Sequence, residues 1–131
     1  MTTTNLKERV QPSQIDDPEI AQVMQIIEER ACEGLRIKDI LEATGLPRRT
    51  LERKFQKLAN SSLHYEILSR QAARARHLLR TTHLKLADVA EQSGFKTVAH
   101  LCVTMQRHFQ KTPNEIRKES EPHYNYVKRI S

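Results

Sequence analysis

The 131 residues carry 22 lysines and arginines against 16 aspartates and glutamates, a formal charge of +6, with only three glycines and five prolines. That length closes one domain, or one unit of two small halves, and so little glycine, proline and β-branched sequence argues for an all-helical chain. The positive balance favours a polyanionic partner, nucleic acid first and an acidic membrane surface second, and no run approaches the ~20 apolar residues of a membrane span.

Residues 1–15 are polar and aperiodic, the pattern of a disordered arm or linker, and MTTTNLKERV lacks the apolar core of a secretion signal, so the chain is expected in the cytoplasm. The first helix is announced by Asp17 as cap, Pro18 at its first position and Glu19 beside the positive end of its dipole. Ile20, Val23, Met24, Ile27 and Ala31 form its apolar stripe and Gly34 stops it. Next comes RIKDILEATGLPRRTLERKF, Arg36 to Phe55. Ile37, Ile40 and Leu41 share a face, Gly45 stands where a helix end needs a left-handed residue, and a second helix opens at Pro47. Leu51, Phe55 and Leu58 are its apolar positions, and Arg49, Glu52, Arg53 and Gln56 its outward face. A short helix, a glycine turn and a basic helix make the sequence form of a helix-turn-helix.

A polar break at Asn60–Ser62, with a serine placed as cap, leads into a helix over 63–80 whose one face is Leu68, Ala72, Ala75 and Leu79 and whose other carries Arg70, Arg74 and His77. Eighteen residues at ~1.5 Å each span about 27 Å. A rod of that order is expected to hold two recognition helices about one B-DNA turn apart, ~34 Å, so that they enter successive major grooves. A second glycine-turned unit then begins at Leu86, with Lys85 in the poor capping position that Arg36 occupies in the first. Thr97 caps its second helix, which continues to Phe109. Thr112, Pro113, Asn114 and Glu115 form a capping box with proline at the first helical position, and Ile116 anchors the short last helix. The segment 120–131 lacks periodicity and is expected to be a flexible tail.

The two units are a repeat. A shift of 49 residues (37 to 86) superposes Ile37, Asp39, Ile40, Glu42 and Gly45 on Leu86, Asp88, Val89, Glu91 and Gly94; after one inserted residue, Leu51, Phe55 and Ala59 meet Leu101, Met105 and Phe109. The expected organisation is therefore a first helix-turn-helix subdomain over 16–62, a connecting helix over 63–80 and a second subdomain over 81–119. Cys32 and Cys102, far apart and outside any C-x-x-C, are expected as small buried or half-buried residues. The histidines His64, His77, His83, His100, His108 and His123 show no ligand spacing, so no metal or cofactor is expected. There is no glycine-rich phosphate loop or nucleophile elbow, and the acidic residues are scattered over helical faces, which argues against an enzyme.

The tandem units, the ARxLL-like segment Ala75, Arg76, His77, Leu78 and Leu79, the Gly94–Phe95 pair and the TPxEIR stop from Thr112 to Arg117 together resemble the AraC-type DNA-binding domain over about residues 18–118. Within that family, DDPEIAQVMQIIEERACEGL and RRTLERKF are most similar to the C-terminal domain of xylose-operon regulators. The resemblance implies an all-α, seven-helix, two-lobed tandem helix-turn-helix joined by a long linker helix, acting as a transcription regulator. It further implies control of a sugar catabolic operon and a separate effector-sensing domain. No such domain fits here, so the chain is expected to be either a fragment or a stand-alone regulator, the polar start leaning toward a fragment, with any dimerisation through a part the sequence lacks.

Transferred position by position, the resemblance places base reading on Arg48, Arg49, Glu52 and Arg53 in the first unit. In the second it falls on Val98, Ala99, Cys102, Val103 and Gln106. Arginine can grip guanine O6 and N7 in a fork, and glutamate can accept from cytosine N4; Glu52 could instead pair with Arg49 or Lys54 and orient a neighbour. Val103 departs from the family, where arginine is common, and Leu101 and Met105 replace aromatic core residues. The second helix is therefore expected to read shape or to contact mainly backbone. Phosphate contacts are expected from Lys38, Lys57, Lys96, Thr97, Arg107 and Lys111. The competing reading is a basic helical adaptor that binds a protein such as RNA polymerase, with incidental DNA contact.

Overall fold

The computed structural model of the chain describes residues 16–119, and their regular structure is entirely helical. In order come α1 (Pro18–Arg30), a 3-10 turn (Ala31–Glu33), α2 (Ile37–Thr44), α3 (Arg48–Ala59), α4 (Leu63–Thr81), α5 (Leu86–Ser93), α6 (Val98–Phe109) and α7 (Pro113–Glu119). Seven α-helices with no strand among the described residues match the expected tandem fold; the expected arm 1–15 and tail 120–131 lie outside them. No described helix is long and apolar enough to cross a membrane. Two compact units divide the described residues, one from 16–30 plus Leu35–Ile67 and one from Ala31–Gly34 plus 68–119. The division falls inside α4, between Ile67 and Leu68.

The first unit is built on α1, which packs against α2 and α3. Its start is fixed as expected: Asp17 Oδ1 accepts from the backbone N–H groups of Glu19 (2.9 Å) and Ile20 (3.3 Å), two of the donors a helix start leaves unpaired. Ile20, Val23, Met24 and Ile27, spaced three and four apart, are fully buried, as are Ile40, Leu51 and Phe55. The start of α2, poorly capped by sequence, is closed from within. The Arg36 N–H donates to the Asp39 carboxylate at 2.9 Å, and that bond is the main reason the Asp39 carboxyl lies below its ordinary value. Pro47 is the extended residue before α3, φ −62° and ψ 144°, so the helix opens at Arg48, one residue later than the sequence suggests. Leu58 is likewise a correction. It is 37 % exposed while Ala59 is buried, because Leu51, Phe55 and Ala59 form an unbroken i+4 row and Leu58 lies to its side.

One charged cluster ties α3 to the start of α1. Lys54 Nζ lies 2.7 Å from Asp17 Oδ2 and 3.2 Å from Glu19 Oε1. The bond to Lys54 is the largest reason the Asp17 carboxyl falls below its ordinary 3.8, ahead of the helix-start N–H groups. Asp17, then Glu19, raises the Lys54 amine above its ordinary 10.5. A depressed carboxyl contributes stability that is complete above its unfolded value and lost as pH falls through the lower folded one; a raised amine contributes below its unfolded value and loses as pH rises through the folded one. Lys54→Met is therefore expected to lower the urea midpoint at neutral pH. The gap from wild type should close as pH falls below 3.8 or rises above 10.5; urea titrations across pH measure it, and a constant gap down to the lowest pH would remove the cluster as its source.

The second unit closes over one cluster: Ala72, Ala75, Leu78 and Leu79 of α4, Val89 and Ala90 of α5, Phe95 of the turn that follows, Leu101 and Met105 of α6, and Ile116 of α7. Phe109, the repeat partner of Ala59, packs only partly against it, and the Arg76 guanidinium stands 5.2 Å from its ring centroid. The expected capping box of α7 is present, with Thr112 N–H donating to Glu115 Oε1 (2.8 Å) and Glu115 N–H to Thr112 Oγ1 (3.2 Å). Arg117 completes the motif by donating to the carbonyls of Leu84 (2.8 Å) and Leu79 (3.4 Å), so α7 is pinned to the end of α4 and the loop after it. Cys32 and Cys102 are both free and half-buried, and burial pushes the Cys32 thiol above its ordinary value.

Candidate nucleic-acid interface

The two turns are solved by related but unequal means. Gly45 ends α2 at φ 73°, its N–H bonded to the Leu41 carbonyl at 2.8 Å, and a Cβ there would meet nothing within 4 Å. Gly94 ends α5 at φ 93°; its N–H reaches Glu91 O at 3.2 Å, and the Phe95 N–H bonds to Ala90 O at 2.8 Å, the longer-range bond of a Schellman end. A Cβ on Gly94 would stand 2.9 Å from Gln71 Nε2 and 3.1 Å from the Ala31 carbonyl oxygen. Gln71 is itself buried and donates through Nε2 to Ala31 O (2.9 Å) and Gly94 O (3.4 Å). It clamps the second turn, a role sequence reasoning missed. The available signal was a polar residue in helical register with the buried Ala75 and Leu78.

Each turn delivers its following helix with one face outward. On α3, Arg48, Arg49, Glu52 and Arg53 are all exposed, as are Gln56 and Lys57. Taking 100° per residue, Arg49, Arg53 and Lys57 point most directly away from the buried Leu51–Phe55–Ala59 row, and Glu52 and Gln56 lie on its flank. Glu52 does pair, but with neither partner considered from the sequence: Arg48 Nε donates to its Oε2 at 3.0 Å, with the two side chains 61 % and 46 % exposed. Pairs of this kind contribute only about 0.3–0.5 kcal/mol to a helix. Lys54 faces back to α1, which leaves Arg49, Arg53 and Lys57 without an acidic partner within ion-pair distance among the described residues.

α6 is capped as expected, the His100 N–H donating to Thr97 Oγ1 at 3.0 Å. Phe95, buried after the turn, meets the His100 ring edge-on with centroids 5.1 Å apart, so the first turn of α6 is braced by an aromatic contact as well as a cap. Its outward side is far less charged than that of α3. Ala99, Val103 and Gln106 are exposed, Val103 to 49 %; Cys102 is half-buried, and Val98 packs partly against the core. Of the residues expected to meet backbone phosphates, Lys38, Lys57, Lys96, Thr97 and Arg107 are exposed, whereas Lys111 is half-buried and paired with Glu119. No cluster of three or more histidine, cysteine, aspartate or glutamate side chains suited to a metal occurs among the described residues.

Comparison with known proteins places these features in context. A family model described as a helix-turn-helix domain matches residues 40–119. The xylose operon regulatory protein of Escherichia coli strain K12 is 27 % identical over 103 residues, which cover 79 % of the chain and 26 % of that protein. The chain thus spans about a quarter of that relative's length. Among solved structures, an AraC-type transcriptional regulator from Chromobacterium violaceum is 28 % identical, with a TM-score of 0.71 over 80 % of this chain and 94 % of that one. The DNA-binding domain of AdpA, solved in complex with a target DNA, shares the fold with a TM-score of 0.72 at 23 % identity, covering 77 % of this chain and 91 % of that one.

Proposed function

The chain belongs to the AraC-type helix-turn-helix family of transcription regulators, and from that premise we propose that it binds double-stranded DNA sequence-specifically, with α3 as the principal reader and α6 as a weaker, mainly shape-sensing one. The observation that carries this is the outward face of α3, where Arg49, Arg53 and Lys57 stand exposed without an acidic partner beside them among the described residues. Arginine forks suit guanine edges, and the neighbouring lysine suits phosphate. On α6 the exposed Val103 offers at most contact with a thymine methyl. In this reading the two helices take successive major grooves, as in other tandem readers, and the cytoplasm is where the chain works.

The likeness to xylose operon regulators supports a second level of the same reading. The chain serves as the DNA-binding part of an effector-responsive regulator of a sugar operon.

Selection of bound duplexes from a random library tests the first level, and a recurrent motif is the expected result. Titration of the selected site against salt should then give a linear fall of log affinity with log salt, of slope about −0.9 for each phosphate neutralised. Absence of any enriched motif, together with salt-insensitive capture by a protein partner, would replace the reading with that of a protein adaptor.

A further inference from the structure

Resting on the assignment of α3 as a major-groove helix, we propose that Arg48 and Glu52 act as one composite reader of two adjacent base pairs, Glu52 accepting from a cytosine and Arg48 gripping the neighbouring guanine. Glu52 is the single acidic residue of α3, set among Arg48, Arg49, Arg53 and Lys57. A carboxylate on a helix that approaches DNA is repelled by the phosphates. Nor does the fold account for its pairing, since both partners are largely exposed and an arginine placed before glutamate at i,i+4 is the weaker of the two orders. The carboxylate is therefore favourable at the interface only where it meets a donor.

Two base edges in the major groove offer donors, the cytosine N4 and adenine N6 amino groups. Adenine sets its N7 acceptor beside N6, against which a carboxylate is repelled and an amide is matched. Cytosine carries no acceptor of its own beside the amino group, and glutamate is matched to its N4, so a glutamate at this place favours cytosine. The ion pair supplies the rest. Arg48 Nε holds Glu52 Oε2 at 3.0 Å, which leaves Oε1 for the base and the two terminal nitrogens of the guanidinium for O6 and N7 of a guanine on the next pair. Both side chains border an open groove on the flank of α3, whose other walls are Ile37 of α2 and Ser62, Leu63 and His64 at the start of α4.

The test uses the 131-residue chain, random-library selection and mobility titrations on wild type, Glu52→Gln and Arg48→Met, with circular dichroism to confirm unchanged helix content. The wild-type motif should contain a cytosine next to a guanine. In Glu52→Gln that one cytosine should give way to adenine, with a loss of about five- to hundredfold on the original site and tighter binding to random duplex. Arg48→Met should relax the guanine and, through the freed carboxylate, weaken the cytosine preference too. A sharp wild-type motif that Glu52→Gln leaves unchanged, or a loss equal on all sequences, would overturn the composite reader while leaving the DNA-binding assignment intact. A wild-type library with no motif would overturn that assignment itself.

Discussion

Arg53→Ala and Arg49→Ala are each expected to weaken binding to the selected site by ~1–3 kcal/mol and to relax base preference at one position, with far smaller losses on random duplex. The size follows from what is removed. Each arginine stands on the outermost line of α3, without an acidic side chain within ion-pair distance among the described residues, so its guanidinium is available to a guanine edge with none of those ion pairs to break. A bidentate contact discriminates by about that amount, whereas a phosphate contact alone weakens all sequences alike. Val103→Ala on α6 is the matched control. Val103 has no hydrogen-bonding group to offer, and its truncation should cost well under either arginine. Mobility titrations of the three variants against cognate and random duplexes measure the difference, and equal losses across all variants and both DNAs would rule out α3 as the principal reader.

Gly94→Ala is expected to destabilise the protein by roughly 2–6 kcal/mol, and Gly45→Ala by the strain alone, roughly 1–3 kcal/mol. Both glycines sit at positive φ, 93° and 73°, where any L side chain is strained by roughly 1–3 kcal/mol. They differ in what surrounds them. At Gly45 the space is open, so backbone strain is the whole penalty. At Gly94 the added methyl meets Gln71 Nε2 at 2.9 Å and main-chain atoms of Ala31 and Cys32 at 3.1 Å. The side chain could yield only by giving up its bond to Ala31 O, and backbone cannot yield cheaply; overpacking of this kind adds typically 1–3 kcal/mol. Thermal or urea unfolding of both variants decides the ranking. A Gly45→Ala loss equal to or larger than that of Gly94→Ala would mean that the clamp has no energetic weight.

Most of the fold was legible because its determinants are local. Asp17, Gly45, Ser62, Thr97 and the Thr112–Glu115 box are end signals whose partners lie two to four residues away, and the structure forms each as read. The misreadings occur where two local rules compete. Pro47 satisfies both the residue before a helix and its first residue, since φ near −65° serves either. Leu58 and Ala59 both continue the stripe of α3, and the row at i+4 from Leu51 and Phe55 prevails over the larger side chain. What the sequence hid is long-range. Gln71 finds Ala31, Lys54 finds Asp17 and Arg117 finds Leu84 across separations that no periodicity encodes. On the interface, exposure of the α3 face followed from helical phase alone. The Arg48–Glu52 pairing depended on rotamers, and the partial burial of Val98 on packing against the second core.

The assignment of Ala31–Gly34 to the second unit, with Arg30 on one side and Leu35 on the other belonging to the first, bears on how the molecule can be taken apart. A split between 34 and 68 would not yield two self-sufficient halves, because the downstream piece would carry Gln71 and Gly94 but not the Ala31 carbonyl that the glutamine amide needs. Grafting a foreign reader in place of the first one would have to preserve these four borrowed residues. In a chimera the junctions therefore belong on either side of that turn and within α4, not in the loop between α3 and α4.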